Sequence, residues 1–271
     1  MELTVIFKLI AFTTWIEISL PGELNLSLFI FKTSRLNLDN LGLYDWMLYP
    51  ELFDSLPPIT HMRLKNNNLT KIPDFGTRTL SSIEKLGLKG NKIQFTKRDD
   101  FHNMTKLHYL TLWENNLQSF PDFEEAAHSL VYIDLRKNQI CTLNSQYLKN
   151  LASLADLEPS QNQFTSIADF TTLPCPSCVA VSLMYNLITS VELITVLSYK
   201  FKNLPLINIG NNPIICDCKM QWMEISLATG FMNWTDNLLN LKCAQPSNIK
   251  NVQVSELAFT SFECDGKFSY D

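Results

Sequence analysis

The sequence predicts an α/β repeat solenoid built around one long parallel sheet. Three observations carry that reading. A template, L-x-x-L-x-L-x-x-N-x-L, recurs along the chain. Its Asn positions, Asn67, Asn91, Asn115, Asn138, Asn162, Asn186 and Asn212, fall 24, 24, 23, 24, 24 and 26 residues apart. The composition is weighted to match, with 41 Leu and 24 Asn among 271 residues. Self-similarity at a period of this size is the mark of stacked units, each unable to bury its apolar edge alone.

The copies read in order as Ile59-Met62-Leu64-Asn67-Leu69, Ile83-Leu86-Leu88-Asn91-Ile93, Leu107-Leu110-Leu112-Asn115-Leu117 and Leu130-Ile133-Leu135-Asn138-Ile140. Leu154-Leu157-Pro159-Asn162-Phe164, Cys178-Val181-Leu183-Asn186-Ile188 and Leu204-Ile207-Ile209-Asn212-Ile214 follow. The x-L-x-L-x core alternates with period two, so each copy is a short strand with its Leu side chains inward. The Asn stands where the chain leaves the strand. Its amide offers donors and acceptors to backbone groups that the turn buries, each worth about 1–3 kcal/mol if left unpaired. A degenerate first copy, Thr33-Leu36-Leu38-Leu41-Leu43, has Leu41 in place of the Asn. It is expected to be an end turn or poorly ordered. Pro159 takes the place of a strand Leu and has no N–H to give, which predicts a local break in the sheet.

Between strands the connecting segments alternate in type. Ile72-Pro73-Asp74-Phe75, Phe120-Pro121-Asp122-Phe123 and Ile167-Ala168-Asp169-Phe170 follow every second strand. Proline there disfavours a regular helix, so irregular or short 3₁₀ turns are expected. The intervening turns carry a ring later, at Phe101, Tyr147 and Phe201, expected to pack beneath the convex side.

Charge and composition exclude several classes of function. The chain has 22 Lys+Arg against 27 Asp+Glu, a formal net charge of −5. That balance lacks the basic footprint of a general nucleic-acid binder. No run of 18 uncharged apolar residues occurs, so no membrane span is predicted. The four His form no metal-ligand pair at helical spacing, and no G-x-S-x-G elbow is present. The chain is therefore read as a non-enzyme with no cofactor and no metal site.

The C-terminal region carries the most specific motif. Asn212-Pro213-Ile214-Ile215-Cys216-Asp217-Cys218 leads to Trp222, with Cys243 and Cys264 downstream. Sequence alone allows three pairings of four cysteines. The run Asn-Pro-x-x-Cys-x-Cys-x-x-x-Trp resembles the cysteine-rich cap of extracellular leucine-rich-repeat proteins, among them Toll-like receptor ectodomains, Slit-type proteins and variable lymphocyte receptors. The resemblance covers roughly residues 33–264. It implies a leucine-rich-repeat horseshoe with its parallel sheet on the concave face, and a C-terminal cap bonded Cys216–Cys243 and Cys218–Cys264. A cap also has a mechanical purpose, since the last turn otherwise exposes its core edge. Lys219 to Leu227 reads as a short helix within it. Cys175 and Cys178 are expected as a structural disulfide or two buried thiols, and Cys141 as a small buried hydrophobe.

The domain organisation is read as a signal-like hydrophobic segment over 1–22, an N-terminal end turn with the degenerate copy over 23–58, repeats over 59–203, the last repeat and cap over 204–264, and a tail over 265–271. The segment from Val5 to Ile16 is apolar but broken by Lys8, with no good small-residue cleavage site. Sequons at Asn25, Asn68, Asn103 and Asn233 are glycosylation candidates. With the cysteines they point to a secreted or extracellular protein. Seven residues after Cys264 carry no transmembrane helix, so the chain is expected to be secreted, tethered by other means, or part of a larger receptor.

Eight strands about 4.8 Å apart span about 34 Å, a width suited to a protein or glycan surface. The outward positions begin with a basic stretch, Arg63, Lys65, Lys85 and Lys89. His108, Tyr109, Trp113 and Glu114 follow, then Tyr132, Asp134, Arg136 and Lys137. Asp156 and Glu158, then Met184, Tyr185 and Leu206, complete the face. Tyr, Trp and Arg dominate binding hot spots, which makes Tyr109, Trp113, Glu114, Tyr132, Asp134 and Arg136 the candidate binding patch. The competing reading is that the rings stiffen the sheet and Arg136 pairs with a nearby carboxylate. The functional expectation is a binding module of the innate-immune type for protein or glycan ligands. A cell-adhesion, matrix or signalling-ligand module is the alternative.

Overall fold

A computed structural model describes residues 4–11, 14–21, 34–54, 56–148, 150–167, 180–191, 206–220 and 241–257. Strands β1 (Thr4–Ala11) and β2 (Thr14–Pro21) pair antiparallel across the signal-like segment. The principal sheet has eight parallel strands in strict chain order: β3 (Arg35–Asn37), β4 (His61–Arg63), β5 (Lys85–Gly87), β6 (Tyr109–Thr111), β7 (Tyr132–Asp134), β8 (Asp156–Glu158), β9 (Ala180–Ser182) and β10 (Leu206–Asn208). Each strand pairs with the next copy's equivalent residues, so Leu86 sits beside Leu110 and Leu110 beside Ile133. The chain folds as a leucine-rich-repeat solenoid, turn one carrying β3 and turn eight β10.

The template anchors form one continuous core from Leu36 to Leu257. Convex rings close it from behind. Phe53 meets Phe75 edge-on at 5.2 Å between centroids, and Phe101 meets Phe123 at the same distance. These pairs join an intervening turn to a Pro-Asp-Phe turn, which accounts for the alternation of segment types. In the latter, Asp74 and Asp122 accept hydrogen bonds from the N–H two residues on, Gly76 and Glu124, the side-chain turn typical of Asp. A 3₁₀ segment, Glu124–His128, follows the second motif as expected. The first motif differs. Gly76–Leu80 is a single α-helical turn; the proline stands three residues upstream in both motifs, so it does not account for the difference. Residues 168–170 and Phe201 lie outside the described residues.

The seven template Asn residues are all buried, at 4–8% exposure, and each makes the same bonds. Asn115 donates through Nδ2 to the carbonyls of Leu88 and Leu112, one on the preceding turn and one on its own. Its Oδ1 accepts from the N–H of Ile93, again on the preceding turn. Asn67, Asn91, Asn138, Asn162, Asn186 and Asn212 repeat this geometry. Every Asn therefore satisfies the turn before it as well as its own. The first copy, expected as an end turn or poorly ordered, forms the edge strand β3 of the sheet. Lacking an Asn does not disorder turn one, because Asn67 accepts from Leu41 and Leu43 N–H and donates to Leu38 carbonyl. Leu36, Leu38 and Leu43 are fully buried.

Pro159 breaks the sheet by one rung. Elsewhere the residue at this position donates to the next strand, as Leu112 does to Asp134 and Leu135 to Glu158. Pairing of β8 with β9 stops at Leu157, and Gln161 N–H resumes the contact at Met184 carbonyl. The register is unshifted because Pro159 carbonyl still receives Asn162 and Asn186.

At the C-terminal end β11 (Ile214–Ile215) pairs with β12 (Cys243–Gln245), and Cys216 is disulfide-bonded to Cys243. Cys218 is also disulfide-bonded; Cys264 lies outside the described residues, as do Cys175, Cys178 and most of the helix expected over Lys219–Leu227. Leu241, Ile249, Val254 and Leu257 complete the end of the core. Cys141 is a free thiol and exposed, not buried as expected. It follows the inward anchor Ile140, and its outward-facing Sγ lies 3.7 Å from Gln118 carbonyl.

Replacing Asn115 by Ala should cost at least about 2–3 kcal/mol, since it leaves two carbonyls and one N–H buried without partners. Amide exchange should accelerate first at Ile93, on the preceding turn. Exchange that rises only within residues 112–117 would contradict the two-turn geometry.

Candidate functional site

The strand alternation that buries the Leu anchors turns the intervening side chains onto the concave face in columns. The first column runs Lys85, Tyr109, Tyr132 and Asp156 across β5 to β8. Tyr109 and Tyr132 rings stand 6.1 Å apart, tilted by 34°. Lys85 Nζ lies 4.4 Å above the centre of Tyr109. The Tyr109 ring remains 43% exposed.

A second column is formed by the residues just after each strand's last anchor. Lys89, Trp113 and Arg136 come from three consecutive turns. Lys89 Nζ is 3.3 Å and Arg136 Cζ 4.3 Å from the Trp113 ring centre, with Lys137 Nζ at 5.8 Å. Cations over an indole face are worth about 0.5–1 kcal/mol at exposed sites and more when desolvated. Trp113 is half-buried, and its indole N–H has no hydrogen-bond partner among the described residues. The ring is thus held from both neighbouring turns by charge.

Between these columns lies Asp134. Register turns it to the concave side, as expected, yet it is only 2% exposed. Arg136 covers it, donating from Nε to Oδ1 at 2.9 Å and from Nη2 to Oδ2 at 2.7 Å. This two-pronged geometry is the strong form of the pair. It also raises the Arg136 pKa, chiefly through the Asp134 hydrogen bonds. Asp134 is a positioning group beneath the patch and not an accessible contact. The pairing of Arg136 with a nearby carboxylate, the competing reading, is present, and the same guanidinium flanks the indole.

Burial pushes the Glu158 carboxyl up, Arg136 opposes that shift, and Asp134 and Asp156 reinforce it. Burial, then Asp134, likewise raises the Tyr132 phenol. At the other end, burial and then the Arg35 and Lys85 charges lower His61.

Glu114 belongs to a column that the sequence reading missed. Asn40, Asn66, Gly90, Glu114, Lys137, Gln161, Tyr185 and Asn211 each have φ between 51° and 68°. One such left-handed residue ends every turn's strand region. The signal was present as Asn or Gly at four of the eight positions, residues that tolerate this conformation. At Gly90 a Cβ would meet Asn66 Oδ1 at 2.3 Å. Beside it lies an open surface pocket of about 540 Å³, lined by Lys65, Lys89, Glu114 and Lys137 with Asn66 and Asn116.

Of the glycosylation candidates, Asn68 and Asn103 are half-buried and neither lies on a concave strand. Asn25 and Asn233 lie outside the described residues. No helix among the described residues is long and apolar enough to cross a membrane.

A family model described as leucine rich repeat matches residues 57–117. The chain is 24% identical over 205 residues to Toll-like receptor 2 type-1 of Gallus gallus, covering 68% of this chain and 25% of the relative. It spans about a quarter of the length of the Toll-like receptors it matches. Among solved structures, it is similar to the Drosophila Toll–Spatzle complex at a TM-score of 0.65 and 22% identity, over 86% of this chain and 33% of that one. Human 5T4, or trophoblast glycoprotein, matches at a TM-score of 0.62 and 19% identity, over 85% and 95% of the two chains.

Because the folded-state pKa of Glu158 lies above its unfolded value, stability is lost as pH rises through that pKa. Glu158→Gln should therefore melt higher than wild type at pH 7, with the gain shrinking as pH falls and the wild-type carboxyl becomes neutral. A Gln variant that melts lower at pH 7 would mean that attraction to Arg136 outweighs burial.

Proposed function

We propose, on the premise that the chain is a leucine-rich-repeat solenoid similar to Toll-like receptors, that its concave face captures an extracellular polypeptide in a recognition role of the innate-immune type. One observation carries the reading. Trp113, clamped between Lys89 and Arg136, stands beside the Tyr109–Tyr132 pair on an open sheet face. Interfaces draw most of their energy from Trp, Tyr and Arg held in place before binding. Here the holding is done by neighbouring turns of a rigid ladder, so little ordering entropy remains to be lost when a partner arrives.

The similarity to Toll in its complex with Spatzle supports a protein ligand. The Cys216–Cys243 bond and the sequons support a secretory route. Glycans at Asn68 or Asn103 would leave the concave strands open. The patch is bound as a surface, since the pocket that Glu114 lines is open to solvent, and nothing in the reading calls for chemistry on the ligand.

The test is a display panel of extracellular proteins screened against the chain, with each hit measured again on Trp113→Ala combined with Tyr132→Ala. Loss of more than about 2 kcal/mol of binding, in a variant that still unfolds cooperatively well above the assay temperature, is the expected result. Hits that all bind the double variant as tightly as wild type would overturn the concave reading.

A further inference from the structure

The charges on the concave face are sorted along the solenoid, with Glu114 on turn four the exception. Lys65 stands on turn two, Lys85 and Lys89 on turn three, and Lys137 on turn five. None of these four ammonium groups has a carboxylate partner among the described residues. Lys85, Lys89 and Lys137 lie against aromatic rings instead, which fixes them without neutralising them. Arg63 and Arg136, by contrast, are spent on Asp39 and Asp134. Lys65, Lys89 and Lys137 also converge on the open pocket beside Gly90, where they outnumber the one carboxylate, Glu114. Turn six reverses the sign. Asp156 is exposed on the strand next to Tyr132, and Glu158 lies on the same strand beside Asp134. Neither has a cationic partner within salt-bridge distance among the described residues.

We infer that the polypeptide segment bound on this face is charge-polarised, acidic where it crosses turns two to five and basic where it reaches Asp156 and Glu158 on turn six. The inference rests on the concave reading above and specifies its ligand. Successive strands lie about 4.8 Å apart, so the sign changes within one step beyond the aromatic band. A uniformly anionic chain such as a sulfated glycan, laid across the turns, gains the lysines but meets two carboxylates immediately past Tyr132. A polypeptide places acidic and basic residues within that distance, and the band of Tyr109, Trp113 and Tyr132 sits where its charge changes. Complementary potentials of this kind set register and partner choice more than raw affinity.

The experiment uses the full chain and four fluorescent probes of matched length: an oligo-Glu block joined through a Tyr-containing spacer to an oligo-Lys block, an all-Glu peptide, an all-Lys peptide and a heparin oligosaccharide. Anisotropy is measured at about 50 mM and about 300 mM salt, since exposed charges are screened over this range. The block peptide should bind most tightly and weaken with salt. Lys85→Glu with Lys89→Glu should weaken it about tenfold, and Lys65→Glu with Lys137→Glu should do the same if the first pair disturbs folding. Asp156→Lys should weaken the block peptide and strengthen the all-Glu peptide. Heparin or all-Glu binding wild type as tightly as the block peptide would overturn the inference, as would no binding of the block peptide. Block-peptide binding that ignores the charge reversals but is lost in Trp113→Ala with Tyr132→Ala would remove the charge polarity and leave the concave reading standing. Binding indifferent to both sets would remove both.

Discussion

The fold depends on one buried side chain per turn. A turn of about two dozen residues leaves the strand through a corner whose carbonyls and N–H groups cannot reach water. The template Asn supplies two donors and an acceptor there, and it spends them on two turns at once. In the turns that follow another, no apolar residue can replace it, and no carboxylate can, since it has no hydrogens to give; only turn one, at the sheet edge, carries Leu41 there. The spacing of the repeat follows from this constraint. Each turn must return to the same place for its Asn to meet the carbonyl of the turn before.

That geometry also produces the site. With the Leu anchors pointing inward and the Asn residues joining the corners, the intervening side chains are held in columns at strand spacing. Charge and ring from adjacent turns are then forced into register, as Lys89, Trp113 and Arg136 are. The face is selected for nothing by the core, so its composition is free to serve recognition. Its stiffness comes from the same backbone ladder, interrupted by one missing rung at Pro159. The left-handed corner after each strand adds a second constraint. Asn and Gly accept it readily, whereas Glu114, Lys137, Gln161 and Tyr185 adopt it at some steric cost.

Much of this was legible in the residues. The anchors located all eight strands because period-two alternation and a fixed repeat length leave little choice of register. Trp113, Tyr109, Tyr132 and Arg136 were placed on one face by the same rule. What escaped the sequence were properties that depend on neighbours across the sheet. Asp134 was outward by register and Arg136 was the candidate partner of some nearby carboxylate, but only the structure shows Asp134 as that carboxylate and buried beneath it. Leu41 looked like a defect because the Asn was taken to serve its own turn, whereas Asn67 serves the turn before. Cys141 was judged by residue type, when the alternation after Ile140 already turned it outward. The single helical turn at Gly76–Leu80 was hidden by a proline whose influence ends before the helix begins.

The central claim is that recognition takes place on the concave aromatic band. Hydroxyl-radical footprinting of the chain with and without a bound extracellular protein tests it most directly. The account predicts slower oxidation of Tyr109, Trp113 and Tyr132 in the complex, while Trp46 and Phe95, 66% and 52% exposed on other surfaces, react as before. Protection of Trp46 or Phe95 with the three concave rings still reactive would place the interface elsewhere and contradict it.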